Sequence, residues 1–275
     1  MNKVIIEPSD TYHAEKAHVT STALRKMLLS PAHFNAYMKA TKKKSTQSQE
    51  RGTFFHDILL EQNPKKYAPW PLKSDGSKLP INTPEYKDWF AKLPKGTVPA
   101  KPDDYAEMMT ILTAFADNKE IMKLYNGAKV ENSIYAIDHE TGVKIKARPD
   151  IWGSGYLVDL KSCGNIDSYF EKSIFQQAYD VQLAHYAETI FNATGEMIND
   201  FYIIAFESDA PYASKIFQID KPSIKIARQE VRRLLNQVKV CTEDQKWPAY
   251  SSEIIQVARP AYLEARSEVS FEDVV

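Results

Sequence analysis

The run Ala147-Arg148-Pro149-Asp150, taken with Val158-Asp159-Leu160-Lys161, reads as the two arms of a β-hairpin. Gly153-Ser154-Gly155 lies between them and supplies the turn, because glycine accepts the positive φ angles of a tight reversal. Ahead of the turn, Val143, Ile145 and Ala147 alternate with Lys144, Lys146 and Arg148, the period-two pattern of a strand with one buried face. Tyr156 to Lys161 reads as the returning strand. Asp159 and Lys161 are two residues apart and therefore project from the same face. Asp150, at the end of the first arm, is expected close to them across the turn.

Two carboxylates that converge on one point repel each other unless a cation lies between them. Oxygen ligands of this kind suit Mg²⁺, with Mn²⁺ as its substitute, ions that keep several waters and accept phosphate oxygens as further ligands. A lysine beside such an ion can orient or help deprotonate the attacking water and stabilise charge on the phosphate. Asp150, Asp159 and Lys161 are thus suited to phosphodiester hydrolysis. A pattern this short, standing alone, is better explained by surface ion pairs on an ordinary hairpin. The rest of the chain changes that balance.

Pro149-Asp150 and Asp159-Leu160-Lys161 resemble the PD-(D/E)XK nuclease signature. Arg51-Gly52-Thr53-Phe54-Phe55-His56-Asp57 resembles the glycine-then-histidine motif of the RecB-type branch of that superfamily. Gln182-Leu183-Ala184-His185-Tyr186 is similar to the QxxxY motif that this branch carries on the helix after its hairpin. The segment from Ser21 to Phe34, ending in Ser30-Pro31-Ala32-His33-Phe34, is similar to the N-terminal helix of RecE-type exonucleases (exonuclease VIII). Together the motifs run through most of the chain in the expected order.

The resemblance implies an α/β chain with the PD-(D/E)XK nuclease fold, a mixed central sheet flanked by helices. It implies that Asp150, Asp159, the backbone carbonyl of Leu160 and His56 hold the metal ion, and that Lys161 positions the nucleophilic water. Gln182 and Tyr186 then contact the substrate strand or the lysine. A glutamate often stands near the metal in such relatives, so Glu131 is a possible additional acid; read by itself it is equally an exposed strand residue. RecE-like enzymes are ATP-independent exonucleases that enter double-stranded DNA at its ends. They degrade one strand 5′→3′ and leave a 3′ tail for a single-strand annealing protein. They form rings, which implies a homo-oligomer here (trimer or tetramer), in a phage or prophage recombination setting. A structure- or sequence-specific endonuclease on the same fold, and a DNA-binding or assembly module without catalysis, are the alternatives.

The 275 residues allow one large domain or two small ones and are read as a single nuclease domain over 1–275. It carries an N-terminal helical segment (20–62) and a proline-rich excursion (63–104). A hydrophobic fraction of 43% with 11% aromatics excludes disorder throughout. No window approaches the roughly 18 consecutive apolar residues of a membrane span, and Met1 to Pro8 turns polar too quickly for a signal peptide. The two cysteines, Cys163 and Cys241, lack metal-type spacing, which fits a reducing cytoplasm. They are too few for the four-cysteine iron–sulfur cluster of some RecB-type relatives. No GxxxxGK[ST] loop is present, so no nucleotide cofactor or motor is expected.

A net charge of −1 and a pI near 6.6 count mildly against a nucleic-acid binder. Local charge weighs more than the sum, since phosphate contacts act within a Debye length of about 10 Å. The N-terminal fifth is basic and the C-terminal end acidic. The expected DNA contacts are Arg25, Lys43, Lys44, Arg51, Lys146 and Arg148, with the Ser162 hydroxyl. Lys42-Lys43-Lys44 reads equally as a solvated linker, and Ser162 as a turn former.

Residues 1–19 read as an irregular or extended lead-in. Thr20 or Ser21 caps a helix carrying Leu24, Met27 and Leu28, and Pro31 opens a second through Met38. Further helices are expected at about 52–62, 103–125, 174–193 and 223–240, with strands at 129–137, 201–206 and 216–219. Arg228, Arg232 and Arg233 on the last helix are read as touching DNA, a neighbouring subunit or only water, with water as the default. Trp70, Tyr86, Trp89 and Phe90 either pack the excursion or stack on bases.

Overall fold

The structure, a computed structural model, describes residues 2–40, 59–60, 67–100 and 102–259. Its strands are β1 (Lys3–Ile5), β2 (Tyr67–Pro69), β3 (Val98–Ala100), β4 (Lys129–Val130), β5 (Ser133–Ile137), β6 (Lys144–Ala147), β7 (Ile151–Gly153), β8 (Tyr156–Cys163), β9 (Asp200–Glu207) and β10 (Ser214–Gln218). Its helices are α1 (Ser9–Ala14), α2 (Ser21–Met27), α3 (Pro31–Lys39), α4 (Pro84–Ala91), α5 (Pro102–Asp117), α6 (Lys119–Tyr125), α7 (Ser168–Gln176), α8 (Tyr179–Thr194) and α9 (Lys221–Asp244). A mixed sheet runs β10-β9-β8-β7-β4, with β8 and β9 parallel and the other pairs antiparallel. An antiparallel sheet runs β1-β5-β6, and β2 and β3 form a small parallel pair. The expected mixed sheet flanked by helices is present.

The hairpin itself is β7–β8, with Gly153 paired to Tyr156 around Ser154-Gly155. Gly155 takes φ +79°, and a Cβ on Gly153 would fall inside the Tyr156 ring, so both glycines are required by the turn. The first arm, however, does not continue back to Val143. Proline has no N–H for the ladder and restricts the residue before it, so the chain leaves the sheet at Arg148-Pro149-Asp150. Residues 144–147 belong to β6, in the other sheet. Lys129 to Ile137 divides in the same way, at Glu131 with φ +53°. The two switch points lie side by side, the Glu131 N–H donating to the Asp150 carbonyl at 3.1 Å. Asp150 is thereby held at the corner where two strands change sheets.

Helix α8 is the central support. Leu183 and Ile190 pack with Leu157, Phe201 and Ile203 of the five-stranded sheet, while Val181 and Ala184 meet Leu24, Val231 and Leu234 of α2 and α9. Full burial of each such leucine or isoleucine contributes about 1.5–3 kcal/mol. The other face of the five-stranded sheet, with Ile151, Val158, Leu160 and Ile204, is covered by Ile111, Phe115 and Ile121 of α5 and α6 and by Leu59 and Leu60.

Four expectations are corrected. The helix from Ile174 is two helices, because Ala178 between α7 and α8 takes the left-handed φ +52°. The helix expected over 103–125 breaks at Asn118, whose side chain caps α6 by accepting from the Glu120 and Ile121 N–H groups. The lead-in is ordered, β1 pairing with β5 and α1 following it. On α9, Arg228 donates to the Ile198 carbonyl at 2.6 Å, and Arg232 pairs with Asp138 and Glu188, both at 2.7 Å, so neither simply faces water. The Thr20 cap, the opening of α3 at Pro31 and the buried strand β9 are as expected, although Leu28 is exposed. Trp70, Tyr86 and Phe90 pack on one another. Only Leu59 and Leu60 of the helix expected over 52–62 are among the described residues; both are helical and buried. No helix among the described residues is long and apolar enough to cross a membrane.

Candidate active site

Strand β8 places Asp159 and Lys161 on the side of the sheet that faces α8, and the corner after β6 brings Asp150 beside them. Asp150 and Asp159 are 6% and 1% exposed. The Leu160 N–H donates to Asp150 Oδ2 at 2.6 Å, which fixes that carboxylate to the backbone of the strand carrying the second acid. The Lys161 ammonium lies against Asp159 Oδ2 as an ion pair and 4.6 Å over the Tyr179 ring. Burial pushes the Lys161 pKa down, but Asp159 and Asp150 outweigh it and hold the ammonium above its ordinary value.

Gln182 and Tyr186 stand one turn apart on α8. The Gln182 amide donates to Asp159 Oδ1 at 2.8 Å and to the Tyr186 hydroxyl at 2.9 Å. The pair therefore holds Asp159 rather than the lysine. Burial first, and then the charges of Asp159 and Asp150, push the Tyr186 phenol far up, so it remains an O–H.

Glu131 is in the same cleft but pairs with Arg148, at 2.7 Å to Nη2 and 2.8 Å to Nε. Arg148 also donates to the Glu7 carbonyl at 2.9 Å and to Ser133 Oγ at 3.2 Å. Lys146 keeps its place in the alternation, but its face is covered: it is 2% exposed, with its ammonium on the Tyr12 and Glu15 carbonyls. Burial pushes its pKa down, against the opposing charge of Glu15. Arg25 donates to the Gln177 carbonyl at 3.1 Å and is not brought to the acids. Ser162 is exposed and, by strand alternation, lies on the face opposite Asp159 and Lys161. His56, Lys43, Lys44 and Arg51 lie outside the described residues.

Asp150, Asp159, Lys161, Gln182, Tyr186, Glu131, Lys146 and Arg148 line one cavity of about 830 Å³. Its other side is formed by residues that sequence reasoning did not assign, among them Tyr12, Glu15, His18 and Ser21. Nothing in the sequence pairs Tyr12 with Lys146, 134 positions away. Tyr179 is different: its spacing three before Gln182 puts both on one helix face, a signal that was available.

The donor set fits a hard divalent ion. Both acids offer carboxylate oxygens, Asp159 Oδ2 with the Lys161 ammonium against it. A second group, Asp138, His139 and Glu188, also offers ligand atoms within 4.8 Å of one another. There the Arg232 guanidinium already bonds both carboxylates.

The family described as a PDDEXK-like domain of unknown function (DUF3799) matches residues 20–260. None of the curated proteins matches the chain. Among solved structures, a proposed exonuclease from Eubacterium rectale is similar with a TM-score of 0.57 at 12% identity, over 96% of this chain and 100% of that one. An alkaline exonuclease from Laribacter hongkongensis (LHK-Exo) gives a TM-score of 0.35 at 12% identity, over 86% of this chain and 96% of that one. A phage-related exonuclease from Haemophilus somnus 129PT gives 0.32 at 12% identity, over 86% and 100%. At such identity the likeness is one of fold, and the first of the three carries it.

Proposed function

The chain belongs to the PDDEXK-like domain family DUF3799, and from that premise we propose that it is a metal-dependent, ATP-independent exonuclease acting on linear double-stranded DNA. It degrades one strand 5′→3′ and leaves 3′ single-stranded tails for recombination. The observation that carries this reading is the interlocked set at the corner: Asp150 tied to the Leu160 N–H, and Asp159 gripped by Lys161 and Gln182. A proposed exonuclease with the same fold and the RecE-like motifs supports it.

Asp150 and Asp159, with the Leu160 carbonyl and His56, are assigned to hold Mg²⁺, for which Mn²⁺ substitutes. When bound, such an ion acidifies a water and neutralises charge on the scissile phosphate. Lys161, kept protonated by the two acids, orients the attacking water and stabilises charge gathering on the phosphate oxygens. Gln182 keeps Asp159 directed at the cleft, and Tyr186 fixes Gln182. Arg25, Lys43, Lys44 and Arg51 are assigned to the DNA backbone. Lys146 and Arg148, whose hydrogen bonds go to the protein, are assigned to shaping the cleft. A ring of three or four subunits, a single-strand annealing protein as partner, and a phage or prophage setting in the cytoplasm belong to the same reading.

Asp159→Ala tests it. Cleavage of end-labelled duplex is expected to be lost at every Mg²⁺ and Mn²⁺ concentration, with the thermal transition retained. Parental cleavage by that variant refutes the assignment. Comparison of linear duplex, single strand and covalently closed circle separates exonuclease from endonuclease, and a purely monomeric mass at working concentration removes the ring.

A further inference from the structure

The cleft that holds Asp159 and Lys161 is walled on its far side by the N-terminal segment, and we infer that this wall makes the site a pocket for a strand end, so that residues 9–18 set the preference for ends over continuous strands. The inference rests on the nuclease reading above and deepens it.

The wall is fastened at three places. Before it, β1 is laddered onto β5, the Tyr135 hydroxyl donates to Glu7 Oε1 at 2.6 Å, and Arg148 donates to the Glu7 carbonyl. After it, Val19 exchanges backbone hydrogen bonds with Lys144 and Lys146, at 2.8 and 2.9 Å. In the middle, the buried Lys146 ammonium donates to the carbonyls of Tyr12 and Glu15, lies 3.4 Å from Glu15 Oε2, and sits 4.3 Å over the Tyr12 ring. Those carbonyls are at the end of α1, where helix geometry leaves C=O groups without partners. An ammonium has three donors, and here they are directed into the wall, none of them toward an incoming phosphate.

This geometry bears directly on which DNA can reach the acids. A continuous strand must pass the scissile position and leave on the other side, which requires a groove open at both ends. Here Tyr12, Glu15 and His18 line the same cavity as Asp159, Lys161 and Gln182. The cavity they share has a volume of about 830 Å³ and is partly open to solvent. On this inference the fastened segment leaves room for a strand terminus and obstructs a strand that must continue past the acids.

Two full-length variants release the wall without touching the groups assigned to catalysis: Lys146→Met, which removes the central staple, and Glu7→Ala with Tyr135→Phe, which frees the first. The readout is the ratio of cleavage rates on a linear duplex and a relaxed, covalently closed circle of the same sequence, in Mg²⁺. The parent is expected to favour the linear form strongly, and in either variant that ratio should fall by about tenfold or more through faster cutting of the circle. Folded variants that keep the parental ratio overturn the inference and leave the nuclease reading intact. A parent that cuts both forms equally overturns the inference and the exonuclease reading together, and a parent that cuts neither refutes the nuclease reading itself. Should the variants fail to fold, hydrogen exchange on the Asp159→Ala chain decides. Amides of residues 9–18 slowed by an open-ended duplex but not by a dumbbell closed at both ends support the wall; equal slowing by both, or none by either, overturns it.

Discussion

Gln182→Leu deletes an amide that donates both to Asp159 Oδ1 at 2.8 Å and to the Tyr186 hydroxyl at 2.9 Å, while nearly preserving the side chain's bulk. A hydrogen bond to a charged group contributes about 1.5–3 kcal/mol, which corresponds to cleavage slowed by about 10- to 150-fold. Loss is not complete, because Lys161 still contacts the other oxygen of Asp159. Tyr186→Phe removes a hydroxyl that accepts from Gln182 and is also hydrogen-bonded to Ser21; the neutral bond to Gln182 is worth about 0.5–1.5 kcal/mol, so its loss should slow cleavage by about 2- to 12-fold. If the tyrosine works through Gln182, the double variant is no slower than Gln182→Leu alone. Single-turnover cleavage of end-labelled duplex across a Mg²⁺ titration measures all three, with thermal denaturation as the check on folding. A Gln182→Leu chain with the parental rate and the parental half-saturating Mg²⁺ refutes the view that this amide holds the acid. Multiplicative losses in the double variant would show instead that Tyr186 acts on its own.

Two predictions concern the framework behind the site. His185 is fully buried on α8 with Nε2 against the Lys146 carbonyl at 3.1 Å, and burial pushes its pKa down to about 4. The unfolded imidazole titrates near 6.5, so between these values the unfolded chain binds the extra proton; the stabilisation is complete above about pH 6.5 and falls by about 3 kcal/mol as pH drops toward 4. Urea unfolding of the parent and of His185→Gln over that range should show the slope shrinking in the variant, and equal slopes would contradict the burial argument. Arg232→Met strands the fully buried Asp138, leaving it only its Thr141 hydrogen bonds. A cost of about 3 kcal/mol is expected, at the low end for a broken buried pair, which lowers the thermal midpoint by about 6–12 °C; a change under 2 °C, on the order of the effect of a surface substitution, would refute it.

The legible parts of this chain are those whose signals are local. Gly153-Ser154-Gly155 gives the turn, the spacing of Asp159 and Lys161 gives their shared face, and Ser30-Pro31 gives the start of α3. The spacing of Gln182 and Tyr186 gives the pair that meets Asp159. What escapes is set by partners distant in sequence. Alternation continues unbroken through Lys146, and only the arrival of Tyr12 and Glu15 covers that lysine. Pro149 marks a break, but no local pattern says that the strand before it joins a different sheet. Ala178 is left-handed without being glycine, held between packed helices, so the division between α7 and α8 has no composition cue. Asp138 and Arg232 are 94 residues apart and become a pair only when α9 crosses the end of β5.

These long-range contacts also account for how a chain of net charge −1 can suit a polyanionic substrate. Lys146 and Arg148 are the cations nearest in sequence to Asp150, and a reading by charge alone sends them to DNA. The fold gives the first to the N-terminal wall and the second largely to Glu131 and Glu7. The corner then presents Asp150 and Asp159 against Lys161 alone, and on the proposed reading a divalent cation there would offset the remaining negative charge. With such an ion in place the local field at the corner would be positive, and the lysine would add to it. On the proposed reading, affinity for the scissile phosphate is thereby coupled to metal loading.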